Sequence, residues 1–270
     1  MSTASAPVEI GHVALTVHDL DRVAGFYRST LGLTDISRDG NLVRLGAGGR
    51  VLLELRQDKA ARRGNPREAG LFHTAFLMPD RTALARWLIH SAETHTPLQG
   101  ASDHLVSEAI YLADPEGNGI EVYADRPRKD WYDADGSLKM ATEALDLNAL
   151  ARSADHPWDG APVDLVVGHV HLQVGAVPEA EAFYSGILGF QIMTHYPAAA
   201  FYGSGGYHHH LATNTWNSRG AGVRAQPATG LAEVGLLADA AEYAAITART
   251  GNSHLTDPWG TAITLTEKAA

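Results

Sequence analysis

The 270-residue sequence predicts an α+β fold built from four β-α-β-β-β units in two domains. Two observations support this class. Strand-like alternation of apolar and polar residues gives way to one amphipathic helix and then to further short strands. The second half of the chain also repeats the first at a constant separation of 157 residues. The matched segments are GHVALTV at 11–17 with GHVHLQV at 168–174, Phe26-Tyr27 with Phe183-Tyr184, and Leu31-Gly32 with Leu188-Gly189.

The first unit begins with an alternating strand over residues 10–17. Asp19 is a suitable helix N-cap, and the apolar spacing of residues 20–31 predicts a helix that ends at Gly32. Short strands are predicted around residues 35–38, 41–45 and 51–55. These elements complete one β-α-β-β-β unit.

The second unit begins with a strand at 71–77, continues with a helix over about 81–95, and ends with strands at 105–112 and 120–123. The last two strands are joined by Asp114-Pro-Glu-Gly-Asn-Gly119, which is dense in turn-forming residues. Glu121 lies in an apolar strand, where a carboxylate is costly to bury without a partner. A metal ion is one such partner.

The repeat also gives the domain boundaries. GLFHTAFL at 70–77 corresponds to GLAEVGLL at 230–237, and the Asp-Pro turn recurs as Asp257-Pro-Trp-Gly260. We therefore expect a first domain over 1–126, a linker over 127–162 and a second domain over 163–270. The linker is polar, and a short helix is predicted near 142–152.

Composition excludes several classes of function. The formal charge of −10 disfavours nucleic acid and anionic membranes as partners. The absence of cysteine excludes disulfides and thiolate chemistry. No apolar run is long enough to span a bilayer, and the N-terminal residues lack the pattern of a signal peptide. We expect a soluble, cytoplasmic protein.

The stretch from His104 to Glu121 contains a His, an apolar residue followed by Tyr111, an Asp-Pro-x-Gly turn and a closing Glu. With this stretch, the repeated units resemble the vicinal oxygen chelate superfamily of glyoxalases, bleomycin resistance proteins and extradiol dioxygenases. The resemblance covers nearly the whole chain and is strongest to two-domain catechol 2,3-dioxygenases. It implies that paired units form half-open barrels of mixed sheet around a metal, with helices outside, and that the protein is a homo-oligomer.

The resemblance implies metal ligands on the first strand of each unit and the last strand of the second. In the first domain these positions hold His12, His73 and Glu121. Two imidazoles and one carboxylate suit Fe(II), with Mn, Ni or Zn as alternatives, and leave positions open for a chelating substrate and dioxygen. The equivalent second-half set is incomplete, since its members are His169, Glu233 and Thr264.

By the same resemblance, His104 and Tyr111 hydrogen-bond the bound catecholate. The family also has an acid–base histidine shortly before the second ligand, but no histidine lies between Val51 and Leu71. Glu54 and the run His208-His209-His210 are the two candidates for this role, and the residues alone leave the choice open. The run could instead form a second metal site with His169 or His171, or a structural hydrogen-bonded cluster.

The leading interpretation is an extradiol dioxygenase of aromatic hydrocarbon catabolism, which uses Fe(II) and O₂ to cleave the ring of a small aromatic diol. A second interpretation is a glyoxalase-like lyase or isomerase in which Glu54 is a fourth ligand. A third is a protein that sequesters small molecules and catalyses nothing. The fold alone does not separate these three functions.

Overall fold

The structure is a computed structural model that describes residues 6–269. Its elements follow the predicted repeat. Unit 1 contains β1 (Val8–Val17), α1 (Leu20–Leu31), β2 (Thr34–Asp39), β3 (Leu42–Ala47) and β4 (Arg50–Gln57). Unit 2 contains β5 (Gly70–Met78), α2 (Arg81–Glu93), β6 (Leu98–Asp103), β7 (Ser107–Ala113) and β8 (Gly119–Asp125).

The linker carries a 3₁₀ turn (Arg128–Asp130), the short strand β9 (Glu143–Ala144) and α3 (Leu147–Ala151). Unit 3 contains β10 (Val166–Gln173), α4 (Val177–Glu181) with a π-helical continuation (Ala182–Ile187), β11 (Gln191–Tyr196), β12 (Ala199–Gly203) and β13 (Leu211–Asn214). Unit 4 contains β14 (Gly230–Ala238), α5 (Ala240–Thr250), β15 (His254–Thr256) and β16 (Ala262–Glu267).

Unit 4 has one strand fewer than the repeat predicts. Only three residues separate the end of α5 at Thr250 from the start of β15 at His254. This connection is too short to contain the strand that β6 provides in unit 2. The last two strands of unit 4 keep the expected pairing, because β16 is antiparallel to β15 and parallel to β14.

Two mixed sheets hold the units in pairs, which confirms the predicted fold class of half-open barrels with packed helices. The seven-stranded sheet has the order β15-β16-β14-β1-β4-β3-β2, and the nine-stranded sheet has the order β11-β12-β13-β10-β5-β8-β7-β6-β9. Unit 1 therefore pairs with unit 4, and unit 2 pairs with unit 3. The sequence repeat instead suggested that each half of the chain forms its own barrel, and the pairing across halves decides where the candidate ligands meet.

Local signals in the sequence fix the first helix. The Asp19 carboxylate accepts the Arg22 backbone N–H at 3.0 Å and so caps the N-terminus of α1. Gly32 ends the helix with a φ of 68°, a conformation that glycine adopts without steric cost. Both predictions about this helix are confirmed.

The helices pack on the sheets around one continuous apolar core, which contains residues of both sheets. The indole N–H of Trp87 on α2 donates to the carbonyl of Thr30 on α1 at 2.8 Å, so the two helices are locked together where both are buried. No helix within residues 6–269 is both long and apolar enough to cross a membrane.

Candidate metal centre

Three ligand-type side chains converge on the adjacent central strands of the nine-stranded sheet. They are His73 on β5, Glu121 on β8 and His169 on β10. The Glu121 Oε2 lies 3.1 Å from the Nε2 of His73 and 3.4 Å from the Nε2 of His169. The two Nε2 atoms are 3.4 Å apart, and all three side chains are buried.

This geometry fits one divalent metal ion. Ligand atoms about 2.0–2.1 Å from a metal are separated by roughly 3.0 Å at right angles and by roughly 3.4 Å at tetrahedral angles. The three observed separations, 3.1, 3.4 and 3.4 Å, lie in that range. A set of two imidazoles and one carboxylate is also the facial triad of non-haem Fe(II) oxygenases, which leaves further coordination positions open.

The protonation states suit metal binding. Burial lowers the pKa of His169 to about 4, although the negative charge of Glu121 opposes the shift. Burial by itself would raise the pKa of Glu121, but His169 and His73 beside it hold that pKa well below its usual value. At neutral pH His169 is therefore a neutral imidazole and Glu121 an ionised carboxylate, the forms that bind metals.

The metal-free protein is expected to lose stability as the pH falls from neutral to about 4. Burial lowers the pKa of His169 to about 4 and that of His210 to about 3. Below about pH 6.5 the unfolded chain therefore binds protons that the folded chain does not, so the free energy of unfolding decreases. One pKa unit corresponds to about 1.4 kcal/mol, and the combined loss is on the order of several kcal/mol. Denaturant titrations at pH 7 and 5 measure it, and equal free energies would contradict this expectation.

His12 lies away from this centre, so its predicted role as third ligand is corrected. It is on β1 in the seven-stranded sheet, and its Nε2 lies 3.6 Å from the Oε1 of Glu233 on β14. The cause is the pairing of the units, since β5 with His73 is antiparallel to β10 and not to β1. The third ligand-type side chain beside His73 and Glu121 is His169, which occupies the place in unit 3 that His12 occupies in unit 1.

Glu54 also lies in the other barrel, which removes it as a catalytic residue and as a fourth ligand at this centre. Its carboxylate accepts from Arg44 Nε at 2.7 Å and from Arg56 Nε at 2.6 Å. Burial would raise the pKa of Glu54, but these hydrogen bonds from Arg56 and Arg44 lower it. Arg56 also contacts Glu233 at 3.1 Å, so a guanidinium supplies the positive charge in this barrel.

His104 and Tyr111 contact each other and line the same cavity as the three clustered residues. The Nδ1 of His104 lies 2.7 Å from the Ala141 carbonyl oxygen, which can only accept, so Nδ1 carries a proton. In the neutral ring Nε2 is then an acceptor, and the Tyr111 hydroxyl donates to it at 2.6 Å. Burial and the nearby charge of Glu121 raise the pKa of Tyr111 well above its usual value, which keeps the hydroxyl protonated.

The backbone beside His104 is strained. Leu105 has a φ of 65°, an uncommon conformation for a side chain of this size. Its N–H donates to the Asp103 carboxylate at 2.9 Å, and Arg126 binds the same carboxylate. These contacts hold the turn that directs the His104 ring at Tyr111.

The three ligands lie in the wall of a cavity of about 300 Å³, near the lower end of the size range of small-molecule sites. Its wall is rich in aromatic rings, and several histidines outside the three-residue cluster also line it. The linker contributes a segment around Ala141, so it shapes the cavity as well as joining the halves. The apolar and aromatic lining includes Phe72, Met140, Phe201 and Trp216.

The histidine run divides between different environments. His209 lines the cavity, and its ring centre lies 4.1 Å from that of His169. His208 is fully buried and contacts Asp125, with its Nε2 at 2.8 Å from Oδ1. The Nδ1 of His210 accepts the Ser204 backbone N–H at 3.2 Å. Of the two candidates for an acid–base residue, the structure brings His209 to the cavity and places Glu54 outside it.

Sequence reasoning placed His169 in the incomplete second-half set and not with His73 and Glu121, and it also missed the aromatic wall. The offset of 157 residues identified His169 as the equivalent of His12, but no local signal shows which of the two faces His73. His171 lies opposite His73 in the strand register, yet its Nε2 is held by the Asn214 amide at 3.0 Å. His171 therefore lies beside the metal centre and is not one of its three residues.

The chain belongs to the Glyoxalase/Bleomycin resistance protein/Dioxygenase superfamily. The family model matches residues 9–122 and 166–254, which lie on either side of the linker. A relative from Bacillus subtilis (strain 168) named Catechol-2,3-dioxygenase is 40% identical over 237 residues, which cover 86% of this chain and 83% of that protein. The chain is thus similar to a dioxygenase-type enzyme over most of its length.

Solved structures show the same fold at low sequence identity. A putative dioxygenase from Bacillus subtilis subsp. subtilis str. 168 matches with a TM-score of 0.67 and 12% identity, covering 97% of this chain and 86% of that one. Glyoxalase I from Zea mays matches with a TM-score of 0.60 and 16% identity, covering 96% and 92%. Because both identities are low, these similarities concern the fold.

Proposed function

We propose that the protein is an extradiol ring-cleavage dioxygenase, which uses non-haem Fe(II) and O₂ to open the ring of a catechol beside its two hydroxyl groups. The observation that carries the proposal is the buried group of His73, Glu121 and His169 within one aromatic cavity. Similarity to a protein named Catechol-2,3-dioxygenase supports the same chemistry.

The proposed ligands are the Nε2 atoms of His73 and His169 and the carboxylate of Glu121. When bound by these residues, Fe(II) would supply the Lewis-acid and redox chemistry that ring cleavage of a diol by O₂ needs. In the balanced reaction both atoms of O₂ enter the product, and one carbon–carbon bond next to the diol breaks. Three protein ligands would leave coordination positions open for both the diol and O₂.

The surrounding residues orient the diol. The aromatic wall favours a planar ring, whereas the His104–Tyr111 pair offers polar groups beside the ligands. The Tyr111 hydroxyl, which donates its hydrogen bond to His104 in this structure, can instead donate to a diol oxygen. The His104 Nε2 can then accept a proton. His209 presents a third imidazole to the cavity and is our candidate for the residue that takes a proton from the diol.

Oxygen consumption with defined metals tests the proposal. The purified protein would be depleted of metal and reconstituted anaerobically with Fe(II), or separately with Mn, Ni or Zn, before catechol and O₂ are added. We expect catechol-dependent oxygen uptake with Fe(II), and both ¹⁸O atoms in the product when ¹⁸O₂ is used. Resorcinol is the matched control, because its hydroxyl groups are not adjacent and cannot chelate one ion. Failure of Fe(II) and Mn to support uptake with any adjacent diol would overturn the proposal.

A further inference from the structure

A hydrogen-bonded chain connects the catalytic cavity with a second cavity. It begins at His209, whose Nδ1 lies 2.8 Å from the Nδ1 of His208. It continues from the His208 Nε2 to the Asp125 Oδ1, also at 2.8 Å. Asp125 lines a separate cavity of about 820 Å³, together with Arg126, Trp131 and Asp164.

The acceptor at the far end sets the direction of every hydrogen bond. An ionised Asp125 can only accept, so the His208 Nε2 carries the proton between them. In neutral His208 the Nδ1 then has a lone pair, and the Nδ1–H of His209 donates to it. The remaining ring nitrogen of neutral His209, Nε2, is left as an acceptor and has no hydrogen-bond partner among residues 6–269.

The middle of the chain is shielded from solvent. His208 is fully buried, and its ring packs against Tyr207 at 4.1 Å and Trp131 at 4.8 Å between ring centres. The Asp125 side chain retains 18% of its exposure, at the second cavity. A proton that crosses between the two cavities along this line therefore has to pass through the His208 ring.

We propose that His209, His208 and Asp125 form a proton relay between the catalytic cavity and the second cavity. The relay rests on the proposed ring-cleavage function for the identity of the proton donor, a diol hydroxyl. The diol O–H bond breaks as an N–H bond forms at the His209 Nε2. The Nδ1 proton of His209 passes to the His208 Nδ1, the Nε2 proton of His208 passes to Asp125, and Asp125 releases it to water in the second cavity.

This step involves no oxidation or reduction, and it leaves both imidazoles in the opposite tautomer. A proton that returns by the same path restores the first tautomers and delivers one proton to the reacting substrate at His209. The relay therefore removes a proton when the diol binds and returns one later in the cycle. Asp125 and His208 are therefore positioning residues. They act through His209, which is the group that touches the substrate.

Substitutions at Asp125 and His208 test the relay in the Fe(II)-loaded protein. Asp125→Asn keeps the shape of the side chain but removes the basic carboxylate, and His208→Phe keeps a buried ring without nitrogens. We expect both variants to keep the metal and the KM for catechol, while kcat falls by about 10²-fold, the lower end of the range for a positioned proton-transfer group. Formate, a small carboxylate that can enter from the second cavity, should partly restore kcat in Asp125→Ala and leave His208→Phe unchanged.

Tyr207→Phe is the matched control. The Tyr207 hydroxyl donates to the same Asp125 oxygen at 3.0 Å but lies outside the path from His209. Its loss removes one hydrogen bond from the carboxylate without interrupting the chain, so we expect wild-type kcat. Wild-type kcat in metal-loaded His208→Phe, or an equal loss in Tyr207→Phe, would overturn the relay.

A measurement without turnover separates the relay from the proposed function. In the metal-free protein labelled with ¹⁵N-histidine, NMR should show His209 as the Nδ1–H tautomer. We expect exchange of this proton with D₂O to be at least severalfold slower in Asp125→Asn, because the path to the second cavity is interrupted. Equal exchange rates, or an Nε2–H tautomer in the wild type, would exclude the relay. If the wild type consumed no oxygen with any diol, the proposed function alone would fail, and this exchange experiment would still decide the relay.

Discussion

His169→Ala is expected to abolish metal binding and oxygen uptake, whereas His12→Ala should retain both. His169 supplies one of the three ligand-type atoms that lie 3.1 to 3.4 Å from one another and that we propose hold the metal. Removal of an outer partner of a metal ligand already costs roughly 10–100-fold in affinity, and removal of the ligand itself costs more. Elemental analysis after gel filtration gives metal per chain, and it should fall from near stoichiometric to background in His169→Ala.

The second barrel offers two control positions, His12 and Glu233. Glu233 lies on β14, the strand that corresponds to β5 with His73, and it contacts Arg56 and His12. Glu233→Gln is therefore expected to leave the metal in place, whereas Glu121→Gln should lose it. Stoichiometric metal in folded His169→Ala, or metal loss in His12→Ala, would show that the centre is assembled differently. Circular dichroism distinguishes loss of a ligand from loss of the fold.

Local chemistry allowed much of the fold to be predicted. The capped helix from Asp19 to Gly32 and the Asp-Pro turn before Glu121 depend on residues close together in the chain, so the sequence reveals them directly. The choice of strand partners does not depend on such residues. β5 could meet β1 or β10, and both carry a histidine in the matching position, His12 or His169.

The same ambiguity in strand pairing explains which residues of the candidate site could be predicted from the sequence. A single unit contains His73, Glu121, His104 and Tyr111. Their relative positions therefore do not depend on how the units pair. Glu54 was assigned to the cleft from its position in an apolar strand, but the strand lies in the other barrel, where Arg44 and Arg56 neutralise it. The paired arginines are the sequence feature that could have signalled an internal ion pair there.

His104→Phe is expected to keep the metal and lose most of its turnover. The ring nitrogens of His104 bind the Ala141 carbonyl at 2.7 Å and the Tyr111 hydroxyl at 2.6 Å, and His104 is not one of the three residues of the metal centre. Phenylalanine fills the space of the ring but cannot accept the Tyr111 proton or one from a diol. Loss of such a group typically lowers the rate by about 10²–10⁴-fold, or roughly 3–5 kcal/mol in activation free energy.

Steady-state oxygen uptake with the Fe(II)-loaded variant measures this effect, and metal content is determined on the same sample. Tyr111→Phe removes the partner hydroxyl, so the double variant should lose less than the product of the two single losses, since both side chains act through one hydrogen bond. His254→Phe is the control, because His254 is exposed on β15 of the seven-stranded sheet and does not line this cavity. Wild-type kcat and KM in metal-loaded His104→Phe would remove His104 from the mechanism. A loss that multiplies independently with Tyr111→Phe would instead show that the two groups act on different atoms of the substrate.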